Sequence, residues 1–243
     1  MKLNRKVIIT APSLDPTQNV SGVSSVVQFI IDNNKECQYQ HFELGKKDNA
    51  RGGVVRIFSI LSAYRRWRQL LKGCDSRTMV HYSFPLSAPS ILRDPMFMHY
   101  ALRRKVPMVV HIHGGLFLTA PKIPGMLMKI LKWVFSWDVP FIVLSEGEKG
   151  ILQNRFGAKH VVVLPNCPDA PQMAKERDGN TDRPLALGYL GRIEPNKGMT
   201  ELLEACKRLK AEGVPFRLVF AGKEQTAGEY LPFYNDGLNE DEN

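Results

Sequence analysis

Val109-Val-His-Ile-His-Gly-Gly115 is a short run of β-branched apolar residues that enters two glycines. Such a run, β-branched at Val109, Val110 and Ile112 and closed by two glycines, reads as a buried strand of a parallel sheet. Similar runs recur on either side of it. Residues 6–11, 38–42, 78–82, 108–112, 141–144 and 161–164 all read as strands. Between them lie longer stretches with helical spacing, at 22–33, 54–72, 88–104, 124–137 and 146–156. Strand and helix alternating in this way predict an α/β fold, a Rossmann-like parallel sheet covered by helices on both faces.

The rhythm breaks after residue 164. Pro165, Pro168, Pro171, Gly179 and Pro184 stand among polar residues there, which is linker composition. The expected organisation is a first domain over 1–165, a linker over 166–184 and a second domain over 185–243. The second unit offers a strand at 185–190, a helix at 199–212 and a strand at 216–221. Sheet domains of this type need on the order of 100 residues to enclose a core. The second domain is therefore expected to be incomplete, either severed or dependent on something outside this chain.

The chain has 243 residues and a formal net charge of +9, unevenly spread. Residues 1–165 carry 23 Lys and Arg against 10 Asp and Glu, and the remainder carries 10 against 14. A basic half suits a polyanion or an anionic membrane surface, and a merely solvated basic face is the alternative. Two segments sharpen the membrane option. Residues 57–72 set Tyr64 and Trp67 among Arg65, Arg66, Arg68 and Lys72. Residues 122–137 set Trp133 and Trp137 among Lys129, Lys132 and aliphatic residues. Basic, aromatic and apolar residues at helical spacing fit a helix lying on an anionic bilayer, although a core helix with a wet basic face has the same pattern.

Other classes are disfavoured. Cys37, Cys74, Cys167 and Cys206 lack metal-site or disulfide-framework spacing, which suits reduced thiols in the cytoplasm. No stretch reaches the roughly 18 apolar residues that span a bilayer. The expected location is cytoplasmic, with peripheral attachment to the inner face of the plasma membrane as the membrane-bound option. No nucleic-acid motif accompanies the charge, so no nucleic-acid partner is expected. No G-x-G-x-x-G follows the first strand, which speaks against a dinucleotide oxidoreductase.

Three constellations carry chemistry. After the first strand, a Pro-containing loop leads into Ser21-Gly22 at the start of a helix. A helix N-terminus offers free N–H groups and partial positive charge to phosphate, and an ordinary helix cap is the alternative. His113, at the end of the opening strand, points into the crevice where open α/β sheets bind ligands, and an imidazole titrating near neutrality suits a sugar hydroxyl or phosphate there. His111 lies deeper on the same face and reads as a satisfied core histidine. In Leu187-Gly-Tyr-Leu-Gly-Arg-Ile-Glu-Pro-Asn-Lys-Gly-Met199 a strand ends at Gly191. Arg192 and Lys197 then flank a turn before Gly198 opens a helix. Two cations and a helix N-terminus suit a diphosphate whose charge grows as it leaves.

Gly191-Arg192 followed by Lys197-Gly198 resembles the G-R-x-x-x-x-K-G signature of retaining GT-B glycosyltransferases of the large sucrose-synthase-like family. Ser21-Gly22-Val23 is similar to that family's Gly-Gly-Val loop, with serine in the first place. His113-Gly114, Leu144-Ser145-Glu146, Pro165-Asn166 and Phe220-Ala221-Gly222 resemble further family segments in the same order. Cys167 and Pro168 depart from the P-N-G-V-D hinge. The family's glutamate-x7-glutamate motif has no counterpart in the chain.

The resemblance implies two Rossmann-like domains facing a cleft, the first for acceptor and the second for a nucleotide sugar. It assigns Arg192, Lys197 and Gly22 to the donor diphosphate. It makes His113 the catalytic residue beside the transferred sugar, and it puts Ser21, Gly114, Ser145 and Glu146 around acceptor and sugar. It implies no cofactor and no required metal. The reaction implied is transfer with retention to a glycan or lipid-linked acceptor, in cell-surface polysaccharide or glycolipid synthesis. The alternative is a non-catalytic acceptor- or membrane-binding module of the same ancestry.

Overall fold

The computed structural model describes residues 5–19, 21–45, 54–166, 185–193 and 197–222. Two compact units divide the chain, Met1–Asp169 and Ala170–Asn243. The expected linker, apart from Asn166, lies outside the described residues, as does Cys167.

In the first unit, β1 (Arg5–Ala11), β2 (Cys37–Glu43), β3 (Thr78–Ser83), β4 (Met108–His111), β5 (Phe141–Val143) and β6 (Val161–Val163) form one sheet. Its strand order is β2-β1-β3-β4-β5-β6 and every pairing is parallel. The connections carry α1 (Gly22–Asn33), α2 (Val54–Lys72), α3 (Ala88–Arg103), α4 (Leu116–Thr119), α5 (Gly125–Phe135) and α6 (Glu146–Ile151). This is a Rossmann-like α/β sheet.

Alternation along β1 decides which helix covers which face, because successive side chains point to opposite sides. Ile8 joins the large core with Val80, Val110 and Phe141, against Trp67 of α2, Phe97 of α3 and Leu131 of α5. Ile9 and Ala11 face the other way and pack on Val27 of α1. The sheet is thus deeply covered on one side. On the other side, among the described residues, α1 packs over the β1–β2 end. The register places His81, Val109, Ile142 and Val162 on that second side. Val162, on the last strand, is 54% exposed there. The expected cover on both faces is therefore uneven.

Several expected boundaries shift. The 108–112 strand pairs only to His111, and the 124–137 helix runs as Gly125–Phe135. The 146–156 helix is α6 followed by a wider π turn over Leu152–Phe156, ending at Gly157 with φ +80°. α4 is a four-residue helix, which is too short for periodicity to reveal. Trp67, which the membrane option for residues 57–72 would turn outward, is fully buried, as the core-helix alternative has it. Its indole Nε1 donates to the Phe97 carbonyl at 2.9 Å, and its ring meets Phe42 edge-on at 4.9 Å. A large ring with one donor is most stable where the core supplies an acceptor.

The described second unit comprises β7 (Leu185–Leu190), α7 (Met199–Ala211) and β8 (Phe216–Ala221), with β7 and β8 parallel. Ile193 and Met199 form its small core with Tyr189, Leu202, Leu203 and Phe220. Among the described residues of the chain, no helix is long and apolar enough to cross a membrane.

Candidate functional site

Parallel strands bring three histidines to one side of the sheet at its carboxyl end. Ile9 pairs with His81, His81 with Val109, and Ser83 with His111. His113 follows two residues beyond His111, on the same side. The rings form a stack. His81 and His111 lie 5.3 Å apart and nearly parallel, at 18°. His111 and His113 lie 3.9 Å apart at 32°. One hydrogen bond joins His81 Nε2 to His111 Nδ1 at 3.1 Å.

Burial makes these imidazoles neutral. His111 is 1% exposed and His81 8%. Desolvation first, then repulsion from His111, lowers the His81 pKa to about 4. Desolvation lowers that of His111 to about 4. His113 falls to about 3 through burial and then the other two rings. The expectation of a histidine titrating near neutrality is corrected accordingly. Removing an imidazolium from water is costly, and no carboxylate is among the groups that shift these rings.

A neutral imidazole has one donor and one acceptor. The hydrogen bond with His81 uses His111 Nδ1, while His111 Nε2 and both ring nitrogens of His113 are buried without a protein partner. The Ser83 hydroxyl is buried and unpartnered as well. Leaving a buried polar group unmatched costs about 1–3 kcal/mol, so four such atoms at one strand end call for ordered water or a polar ligand. His111 is therefore only half satisfied, which corrects its reading as an ordinary core residue. His81 escaped the sequence reading altogether. A histidine inside the 78–82 run gives no local sign of a partner 30 residues away.

The loop after His113 needs its glycines. Gly114 has φ +78° and Gly115 φ +129°, conformations that side chains rarely adopt. A Cβ at residue 115 would stand 2.7 Å from the Leu86 backbone nitrogen. Phe117 N donates to Leu86 O at 3.1 Å, so this loop and the β3–α3 loop are fastened together.

The loop between β1 and α1 is a polar network. Ser21 caps α1, its Oγ accepting from Ser24 N at 3.2 Å. The buried Asn19 amide donates to Ser21 Oγ at 3.1 Å and Ser24 Oγ at 2.9 Å. Asn19 was not among the expected site residues, although an asparagine two before the cap is a turn signal. Gly22 is exposed, and a Cβ there would meet nothing within 4 Å. The protein itself sets no requirement for glycine at 22.

Ser145 and Glu146 have local roles. Ser145 Oγ accepts from Glu148 N at 3.2 Å, and Glu148 Oε2 accepts from Leu144 N at 2.7 Å, closing the start of α6. The exposed Glu146 pairs with Lys149 at 3.5 Å. In the second unit, Arg192 and Lys197 flank the entry to α7 and both are exposed. The Tyr189 hydroxyl donates to the Arg192 carbonyl at 2.7 Å and holds the turn. Gly198 stands at the N-cap of α7 with φ +80° and brings no side chain to the free N–H groups of the first turn. Glu194–Asn196 lie outside the described residues.

Among the described residues, no group of three or more His, Cys, Asp or Glu is placed to hold a metal ion. The three histidines stack face to face, whereas ligands of one ion would converge on a point.

No family model matches the chain. No curated protein matches it either. Among solved structures, the chain has a distant similarity to a conserved protein from Enterococcus faecalis V583, at 11% identity and a TM-score of 0.28, over 66% of this chain and 92% of that one.

Proposed function

We propose that this protein is a glycosyltransferase of the GT-B type that moves a sugar, with retention, from a nucleotide sugar to a glycan or lipid-linked acceptor. The carrying observation is His113. Its side chain is half-buried and neutral, with both ring nitrogens buried and unpartnered, just past the end of a central parallel strand and ahead of two glycines with positive φ.

A neutral imidazole donates one hydrogen bond and accepts another, which matches a sugar hydroxyl without placing a second cation beside an oxocarbenium-like centre. His81 holds the Nδ1 of His111, which leaves His111 Nε2 for the ligand. Arg192, Lys197 and the N-terminus of α7 suit the donor diphosphate. In the reaction the bond from the sugar C1 to the diphosphate oxygen breaks and a bond from C1 to the acceptor oxygen forms on the same face. The acceptor proton passes to the leaving diphosphate. No side-chain base is required.

The test is calorimetry of the full chain with UDP, GDP and ADP, followed by nucleotide release from the corresponding sugar donors. Diphosphate binding that survives His113→Ala, with donor turnover lost, supports the reading. Absence of both diphosphate binding and donor hydrolysis sinks it.

A further inference from the structure

We propose that the outer face of α3 and α5 is a docking surface for an anionic lipid bilayer. The surface goes beyond the transferase reading and does not depend on turnover.

Each helix has a buried half that completes the core, through Phe97 and Met98 on α3 and Leu127, Leu131 and Val134 on α5. The opposite halves are where soluble helices usually place their charge pairs. Here they carry large apolar residues. On α3, Leu92, Met96, His99 and Arg103 follow one another at i, i+4, i+7 and i+11, a single line along the helix. Leu92 is 55% exposed and Met96 36%. On α5, Met126, Lys129 and Trp133 form a second line, with Met126 61% and Trp133 46% exposed. The two lines meet. The His99 ring lies 5.5 Å from Trp133 and 6.1 Å from Trp137.

The charge on this layer has one sign. α2, α3 and α5 hold nine Lys and Arg and a single acid, Asp94. Asp94 is fully buried and paired inward with Arg93 at 2.5 Å. The exposed charges are therefore cationic, including Arg103, Lys129 and Lys132 beside the apolar lines. α2 continues the layer, because the Arg68 guanidinium lies over the Tyr100 ring of α3 at 5.4 Å. The nearest acid after α5, Asp138, is engaged by His160 at 3.0 Å.

An apolar ridge with a tryptophan, rimmed by cations and without an exposed acid on α2, α3 or α5 among the described residues, matches a bilayer interface on both counts. The apolar residues enter the headgroup boundary, the indole sits at the interface, and the cations meet anionic headgroups. A protein partner would need acidic complementarity to the same rim. The single sign of charge with scattered long side chains favours the deformable, uniformly anionic surface.

The test is flotation of the full chain with vesicles of phosphatidylcholine, with and without about one-third phosphatidylglycerol. The expected result is binding to the anionic vesicles alone, reversed by high salt, with a blue shift of tryptophan emission that Trp133→Phe diminishes. Lys129→Glu with Lys132→Glu should lower partitioning by at least about tenfold. Lys207→Glu with Lys210→Glu, on α7 of the other unit, should leave it unchanged. All these side chains are exposed, and circular dichroism checks that each variant folds. Equal binding by the α5 and α7 variants, or no binding to anionic vesicles, overturns the proposal. So does a concentration-dependent dimer in sedimentation that Trp133→Ser abolishes, since the face would then join two copies. Vesicle binding is read without donor or acceptor, so its failure leaves the transferase reading standing, and the converse holds.

Discussion

His81 Nε2 and His111 Nδ1 are joined by a 3.1 Å hydrogen bond across adjacent strands, with the two rings stacked. Since each neutral ring has one donor and one acceptor, this bond couples the two tautomers, one nitrogen donating and the other accepting. It leaves His111 Nε2 without a protein partner at the strand end. Four unpartnered buried polar atoms then share that place.

The stack makes stability fall on acidification. All three histidines have folded pKa values near 4 or 3, below the ordinary 6.5. Between about pH 6.5 and pH 4 the unfolded chain binds more protons, so stability is full above this window and is lost through it. Asp94 acts in the opposite direction. Burial raises its pKa to about 6 from 3.8, so the folded chain takes up its proton first and gains stability as pH falls through that range. Three bases outweigh one acid. Urea melts at pH 7.5 and pH 5 should show a lower midpoint at the acid value. His111→Gln should flatten the difference, and an unchanged slope would count against the neutral stack.

If the transferase reading holds, His81→Asn should lower turnover by about tenfold or more, because it loosens the partner that orients His111. It should also change the pH profile of turnover, which a purely structural defect would not. Steady-state rates across pH, with KM separated from kcat, provide the check.

Gly115→Ala and Gly22→Ala should part company. The first puts a methyl group 2.7 Å from Leu86 N at a positive φ and should destabilise by about 2 kcal/mol or more. The second enters open space and should leave stability within about 0.5 kcal/mol. If a diphosphate packs on the start of α1, Gly22→Ala should weaken nucleotide binding alone. Thermal melts with nucleotide calorimetry separate the two effects.

Trp67→Ala should remove about 3–5 kcal/mol of stability, through the lost core volume. It also leaves the Phe97 carbonyl without its indole donor. Equilibrium unfolding checks this. A change below about 1 kcal/mol would place Trp67 outside the core.

Arg192→Ala with Lys197→Ala should weaken nucleoside diphosphate binding by about tenfold or more. Calorimetry with UDP, GDP and ADP measures it. Unaltered affinity would remove the diphosphate role from this turn.

Most of the sheet could be read from local pattern. The 22–33 and 54–72 helices and the 185–190 and 216–221 strands have the bounds that periodicity predicts. β-branched runs and helical spacing are local signals, and local chemistry suffices to express them. His113 was legible for the same reason, as a histidine between a strand and two glycines. The pattern left Trp67 open between two settings, because its basic neighbours Arg65, Arg66 and Arg68 look alike on a membrane helix and on the wet side of a core helix.

The order and kind of the longer elements, the glycines after His113 and the basic α5 segment were written along the chain, since each depends on residues within a turn or two. The site's chemistry was not. His81 meets His111 only because β3 and β4 pair in parallel at one register, and a shift of one residue would send the rings to opposite faces. The neutrality of the imidazoles comes from desolvation by distant segments. The apolar–basic ridge exists because α3 and α5 cross the same side of the sheet and bring His99 against Trp133. Contacts between residues far apart in sequence have no local signature, and these contacts turn three scattered histidines into one site.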